Sequence, residues 1–241
     1  MAEWLRSGLQ IRVPQFDSGR GLQFIGFVLS QSQMPLNNNQ SQTVGAILAG
    51  GTAQRLGRAL KSGIKVNGTD LLTRVSQIIT KDCAHLLLSI GTHDPDLFPQ
   101  YNSSALVTDN GQGPAAALSQ IVDFIIKNHP EAEYLLLAAV DTPFLPTDFA
   151  QRAHSLLSPQ TDAVIGAYKG QSYPTNALWR LSSLKDLPER FADGTATRSL
   201  FGLLDQKKWC VLDYENIQTD NPFANINTPG DLIACNRRDL K

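Results

Sequence analysis

The stretch Val44–Gly68, "VGAILAGGTAQRLGRALKSGIKVNG", opens as an apolar run and breaks into a glycine-rich loop. Such a run without alternation is the pattern of a strand buried on both faces, as in a parallel sheet covered by helices. The loop after it carries Arg55, Arg58, Lys61 and Lys65 and no acidic residue. Gly50 and Gly51 let the main chain approach a ligand closely, and exposed N–H groups in such a loop cradle phosphate oxygens. On this loop alone, a polyanion site and a plain glycine turn with surface cations both stand open. Two familiar phosphate loops are excluded. A Walker loop needs Lys-Ser or Lys-Thr after its second glycine, where Gly57 is followed by Arg58 and Ala59. No G-x-G-x-x-G fingerprint occurs.

Outward from this stretch, strands and helices alternate. Continuous apolar runs predict strands over residues 43–50, 85–91, 105–109 and 133–141, with two more at "DAVIGAY" (162–168) and "TNALWR" (175–180). Apolar residues at helical spacing predict a helix over 71–80. A second covers 113–128, with Pro114 just inside its start. A third covers 147–157, capped by Thr147 or Asp148. Residues 181–191 and 197–206 read as helical. This alternation implies crossover units and a Rossmann-like, three-layer α/β fold: a mainly parallel sheet with helices on both faces. Sheets of this type bind ligands beyond the carboxyl ends of their strands. Ala49–Lys61, Ser89, Asp109 and Asp141 all fall at such ends, so they are expected to converge.

Asp141 ends the most apolar strand, in "AAVDTPFLP", where Pro143 and Pro146 preclude a regular helix directly after it. A carboxylate there suits a hard cation: Mg²⁺ commonly takes one or two carboxylates and fills its other positions with phosphate oxygens and water. Asp109 is the second carboxylate at this edge and by itself reads equally as a turn residue or a ligand. A glycine loop, the cations Arg55 and Lys61, and two carboxylates together indicate metal-assisted chemistry on a nucleoside triphosphate.

The whole chain narrows this further. At 241 residues with 42% apolar and 18% charged residues it is ordinary globular material. A net charge of -1 argues against bulk nucleic-acid binding, so an anion site must be local. Cys83, Cys210 and Cys235 are too scattered for a metal knuckle, and three is an odd number for a disulfide framework. His85, His93, His129 and His154 lack paired metal spacing and read as solvated or packed single histidines. A reducing, cytoplasmic setting fits. Residues 1–42 read as a poorly ordered N-terminal extension, and 43–241 as the domain. The apolar core Leu22–Leu29 is too short to span a membrane. Arg12 and Arg20 before it keep a signal peptide open, although "SQSQ" is no small-x-small cleavage site. Met34, nine residues before the first strand, is a second candidate start.

"LAGGTAQRLGRALK" resembles the L-A-G-G-x-x-x-R-[ML]-G-x-x-K signature of the molybdenum cofactor guanylyltransferase (MobA) family of nucleotidyltransferases. The likeness runs from Val44 toward the C-terminus. It takes in "NGTDLL", "GPAAAL", "VDTPFLP", "YPTNAL" and, as its most specific element, "FANINTPGDL". The resemblance implies a nucleotidyltransferase fold and Mg²⁺-dependent transfer of GMP from GTP to the terminal phosphate of a molybdopterin-type cofactor, releasing pyrophosphate. By match, Leu48, Ala49, Gly50 and Gly51 would contact the nucleotide, Lys61 its phosphates with Arg55 beside it, and Asp141 the Mg²⁺. Ser89, where the family often has Asn, and Asp109 would line the nucleoside pocket. Arg198, Asn225 and Asn227 would face the cofactor substrate. Transient contact with molybdenum-insertion or acceptor enzymes is implied; nucleic acid and membrane are not.

The chain departs from the family pattern at three places. Leu60 replaces the acidic residue before the lysine, which predicts an ammonium without a carboxylate partner. Thr69 replaces a lysine, and Ala117 a glycine, where a methyl group could crowd the ligand-facing backbone. A cytidylyltransferase of the same fold, a nucleotidyltransferase for another phosphorylated acceptor, and a catalytically silent nucleotide-binding relative are the alternatives.

Overall fold

The computed structural model describes residues 38–53, 59–101, 105–109 and 111–238. Its strands are β1 (Thr43–Leu48), β2 (Thr52–Ala53), β3 (Ala59–Leu60), β4 (Lys65–Val66), β5 (Thr69–Asp70), β6 (His85–Gly91), β7 (Leu106–Thr108), β8 (Tyr134–Ala139), β9 (Ala163–Tyr168), β10 (Gln171–Arg180) and β11 (Trp209–Asp213). Its helices are α1 (Asn38–Ser41), α2 (Leu71–Ile79), α3 (Pro114–Asn128), α4 (Phe149–Leu156), α5 (Leu187–Ala192), α6 (Leu200–Leu204) and α7 (Pro229–Arg238).

Seven strands form the sheet in the order β11-β9-β10-β8-β1-β6-β7. Only β10 runs against its neighbours. Two small hairpins, β2-β3 and β4-β5, stand apart from it. The uninterrupted apolar run of β1 has its cause here, because the strand is covered on both faces. Val44 and Ala46 pack with Ile121 and Val122 of α3, whereas Ile47 packs with Leu71 and Val75 of α2. Gly45 belongs to the α2 face, where a Cβ would stand 2.4 Å from the Ile79 Cγ2 methyl, so only glycine admits the helix this close.

The strands over 43–50, 85–91, 105–109 and 133–141 form close to the expected bounds. Two departures occur farther on. "DAVIGAY" and "TNALWR" join as a hairpin through Lys169 and Gly170, both at positive φ (51° and 76°), the combination a two-residue type I′ turn requires. β10 therefore begins at Gln171, and its register with β9 shifts between Tyr173 and Ala177 around Pro174, which has no N–H for the ladder. The second departure is β11, which pairs parallel to β9 at the sheet edge. Asp148 precedes α4 but does not cap it; its carboxylate accepts from Arg152 Nε and Tyr214 Oη instead.

Of the extension, residues 1–37 lie outside the described residues. Gln42 is fastened to the sheet: its carbonyl accepts from Glu133 N and Tyr134 N, and its side-chain amide donates to Glu133 Oε1 at 2.7 Å. No helix among the described residues is long and apolar enough to cross a membrane.

Candidate active site

After β1 the chain crosses to β6 and β7 on one side; from β7 it returns through α3 to β8 on the other side of β1. The carboxyl ends of β1 and β8 thus flank a topological switch point, where the two outgoing loops diverge and leave a crevice. A cleft of ≈530 Å³ opens there. Its walls include Leu48, Gly50 and Gly51 after β1, Gly91 at the end of β6, Asp109 after β7, and Asp141 after β8. The expected convergence is thus realised for most of the named residues.

The glycine loop is shaped by contact with β6. A Cβ on Gly50 would stand 2.6 Å from Gly91 N, so the two backbones touch. Ala49 N donates to Ser89 O at 2.8 Å, and the Gly50 carbonyl lies 3.1 Å from His93 Nε2. Ala49 is fully buried and supports the loop from behind. Lys61 returns to the loop through its N–H on Gly51 O at 3.4 Å. Arg55 lies outside the described residues.

The Lys61 ammonium is not unpartnered, contrary to what Leu60 led one to expect. It donates to Asp141 Oδ2 at 2.6 Å and to Asn227 Oδ1 at 2.7 Å. Three distant segments therefore meet at one nitrogen. Each is held in place from outside. Asp141 is only 8% exposed, and its carbonyl accepts from Ile226 N. Asn227 N donates to Asp231 Oδ2. Thr228 and Asp231 exchange reciprocal bonds, Thr228 N to Asp231 Oδ2 and Asp231 N to Thr228 Oγ1, which close the first turn of α7 as a capping box with Pro229 at its first position. Asn225 is exposed and lines the cleft.

The far wall is built on Asp109. Ser89 is buried and does not face the cleft; its hydroxyl donates to Asp109 Oδ2 at 2.9 Å, while Gly111 N donates to Oδ1 at 2.7 Å. Ser89 thus orients the carboxylate and makes no wall of its own. Gly113 and Pro114, at the amino end of the fifteen-residue α3, complete this side. That end carries the positive pole of the helix dipole and favours an anion. Ala117 is buried along α3 and does not line the cleft, so its methyl crowds no ligand. Arg198 is exposed ahead of α6 and is not part of the cleft wall. Gly91, Gly111 and Thr175 are wall residues that sequence reasoning did not single out. Gly91 and Gly111 adopt positive φ (62° and 69°), so their being glycine is the one local signal that could have marked them; Thr175 carries none.

The donor set fits a cation that arrives with phosphates. The only cluster of three His, Cys, Asp or Glu ligands among the described residues comprises His85, His129 and Glu131, none of which lines the cleft. The cleft instead offers the Asp141 carboxylate with the Asn225 amide nearby on its wall. That suits Mg²⁺, which needs one or two carboxylates and takes phosphate oxygens for the rest.

A sequence model of the MobA-like NTP transferase domain matches residues 45–208. A molybdenum cofactor guanylyltransferase of Rhodopseudomonas palustris (strain BisB5) is 31% identical over 211 residues, covering 86% of this chain and 99% of that protein. Among solved structures, molybdopterin-guanine dinucleotide biosynthesis protein A from Archaeoglobus fulgidus superposes with a TM-score of 0.63 at 19% identity, over 82% of this chain and 98% of that one. A 4-diphosphocytidyl-2C-methyl-D-erythritol synthase from Anaerococcus prevotii gives 0.64 at 15% identity, over 84% of this chain and all of that one. At these identities the two structures share the fold.

Proposed function

This chain belongs to the MobA-like NTP transferase family, and from that premise we propose that it transfers GMP from Mg-GTP to the terminal phosphate of a molybdopterin-type cofactor. The observation that carries this reading is the meeting of Lys61, Asp141 and Asn227 in the cleft between the glycine loop and the Asn225–Asn227 segment. In the reaction an oxygen of the acceptor phosphate forms a bond to the α-phosphorus of GTP, and the bond from that phosphorus to the departing pyrophosphate breaks. The attacking oxygen is already ionised near neutral pH, so no protein base is required. What the protein must supply is position and charge compensation.

Gly50 and Gly51 offer backbone N–H groups to the triphosphate, and Lys61 exchanges Asp141 for its phosphates. Asp141, with Asn225 nearby, would hold Mg²⁺, which supplies neutralisation of the charge that spreads over the phosphates. Asp109 favours guanine. Its oxygens accept only, and guanine presents two adjacent donors, N1–H and N2–H₂, on its pairing edge, where cytosine presents one. Asn225 and Asn227 face the acceptor.

Incubation with radiolabelled GTP, CTP, ATP or UTP, each with molybdopterin and Mg²⁺, tests the reading. Incorporation of label from GTP alone is the expected result. Transfer from CTP in preference would move the assignment to a cytidylyltransferase. Nucleotide binding without transfer from any of the four would leave a silent relative.

A further inference from the structure

The end of the sheet opposite the cleft gathers a second set of ligands. β6 ends at Gly91 on the cleft wall and begins at His85. At about 3.3 Å per residue its two ends stand about 20 Å apart. Beside His85, α3 runs out at His129, whose N–H closes the last turn on Ile125 O at 2.8 Å. The chain then turns through Pro130 and Glu131 toward β8. Two histidines remote in sequence are thereby brought into ring contact, with centroids 4.2 Å apart and planes tilted by 32°. This corrects the reading of both as single histidines. Their partnership is made by the parallel sheet and leaves no spacing motif.

Glu131 joins them. Its Oε1 lies 3.8 Å from His129 Nδ1, too far for a hydrogen bond. One ligand atom from each of the three residues lies within 4.8 Å of the others. None of the three side chains is tied by a hydrogen bond among the described residues, so their lone pairs are uncommitted. Two grooves, of ≈470 Å³ and ≈220 Å³, both have His129 in their walls and give solvent a path to the cluster.

We propose that His85, His129 and Glu131 form a binding site for a divalent transition metal of the zinc class, separate from the catalytic cleft. Two imidazole nitrogens and one carboxylate oxygen are a three-protein-ligand set, with water completing the tetrahedron. Imidazole nitrogens select such ions over Mg²⁺ and Ca²⁺, which prefer all-oxygen sites. Around an ion bound at 2.0–2.2 Å, tetrahedral ligand atoms stand about 3.4 Å apart, so the cluster must close by roughly 1 Å. The freedom to do so is on the right side chains. His85 and Glu131 are exposed, and His129, whose side chain is 17% exposed, is the fixed member. Closure turns the His85 ring away from its contact with the His129 ring so that both lone pairs point at the ion. The metal would clip the α3–β8 turn to the start of β6. Because it binds the folded state, it raises Tm by mass action.

Cobalt titration of the tag-free, chelator-treated full chain tests this, because four-coordinate Co²⁺ has visible absorption that Mg²⁺ cannot produce. The expected result is one equivalent of Co²⁺ giving a saturable visible spectrum, bleached by Zn²⁺ and unaffected by Mg²⁺. Zn²⁺ should raise Tm by about 5–11 °C at a hundredfold excess over Kd. H129Q and H85Q should each abolish the spectrum. H85Q alters an exposed side chain, so it decides the matter if H129Q fails to fold. D141N, in the cleft, should retain the spectrum. No saturable spectrum in the wild-type chain would overturn the site. So would a spectrum that survives H85Q or is lost in D141N.

Discussion

Asp141 and Lys61 are 80 positions apart, and Asn227 lies 166 positions beyond Lys61, yet one ammonium joins all three. Each was legible as a candidate from its place at a strand end or in a motif, but their pairing was not. Local sequence suggests the partner of a lysine only when it sits within a turn or so of helix, and Leu60 suggested none. The correction reverses an expectation. Leu60→Asp brings no carboxylate that Lys61 lacks, and it adds negative charge beside the triphosphate site. Measured kcat should therefore stay level or fall; a clear rise would mean that the Asp141 contact does not hold Lys61 in solution. Asp141→Asn should lower kcat by on the order of 10²-fold or more, since it removes the carboxylate proposed for Mg²⁺. Because Asp141 is 8% exposed and ion-paired, the change also leaves a partly buried ammonium without its counter-charge. A loss of about 1–3 kcal/mol in urea unfolding should accompany the rate effect. Near-normal turnover would remove Asp141 from the mechanism.

At the scale of elements, β10 shows how the sheet presents Asp141. β8 pairs with β10 only up to Leu137, because the register shift at Tyr173–Ala177 draws the β10 backbone away. Asn176, fully buried, fills the gap. Its Oδ1 accepts from Ala139 N at 3.3 Å and lies 3.0 Å from Thr142 Oγ1. A side-chain amide thus replaces the missing backbone carbonyl two residues before Asp141. Asn176→Ala should cost about 1–3 kcal/mol by leaving the Ala139 N–H unsatisfied, and it should lower kcat more than it changes nucleotide Kd. Unchanged urea unfolding would show the bond to be dispensable. Asn176 falls within a strand-like run of the sequence, but neither the bulge nor its use is legible there, since Pro174 alone does not say which way a strand bends. β11 was overlooked for another reason. It is an edge strand whose Trp209 and Val211 stay 40% and 43% exposed, so it lacks the continuous apolar run that marked β1, β6 and β8. The Lys169–Gly170 hairpin escaped because positive φ at a lysine leaves no trace in composition.

Across the whole molecule, the alternation of apolar runs and amphipathic segments was enough to foretell three layers, and the rule of strand carboxyl ends foretold where the cleft would be. Both follow from burial, which writes its pattern locally. What the N-terminal segment contributes is a different kind of question, settled by hydrogen bonds to a remote strand. The described domain is not closed at Thr43. Gln42 O receives two N–H groups from residues 133 and 134 at 2.9 and 3.1 Å, and Thr43 Oγ1 donates to Asn39 O at 2.5 Å. Gln40 also reaches the Lys81 carbonyl. Two shortened chains should therefore behave differently. One beginning at Met34 keeps all of these bonds and should match the full chain in Tm and in GTP affinity. One beginning at Thr43 loses the Gln42 acceptor and the Asn39 partner of a fully buried threonine. At roughly 1 kcal/mol for each of these three bonds, and about 2–4 °C per kcal/mol for a domain of this size, its Tm should fall by about 6–12 °C. GTP affinity should hold, because Gln42 and Thr43 lie at the amino end of β1 and the cleft at its carboxyl end. Equal Tm values for the two shortened chains would show that residues 39–42 add nothing to the domain. A matching loss in the chain beginning at Met34 would place the missing stability upstream of it.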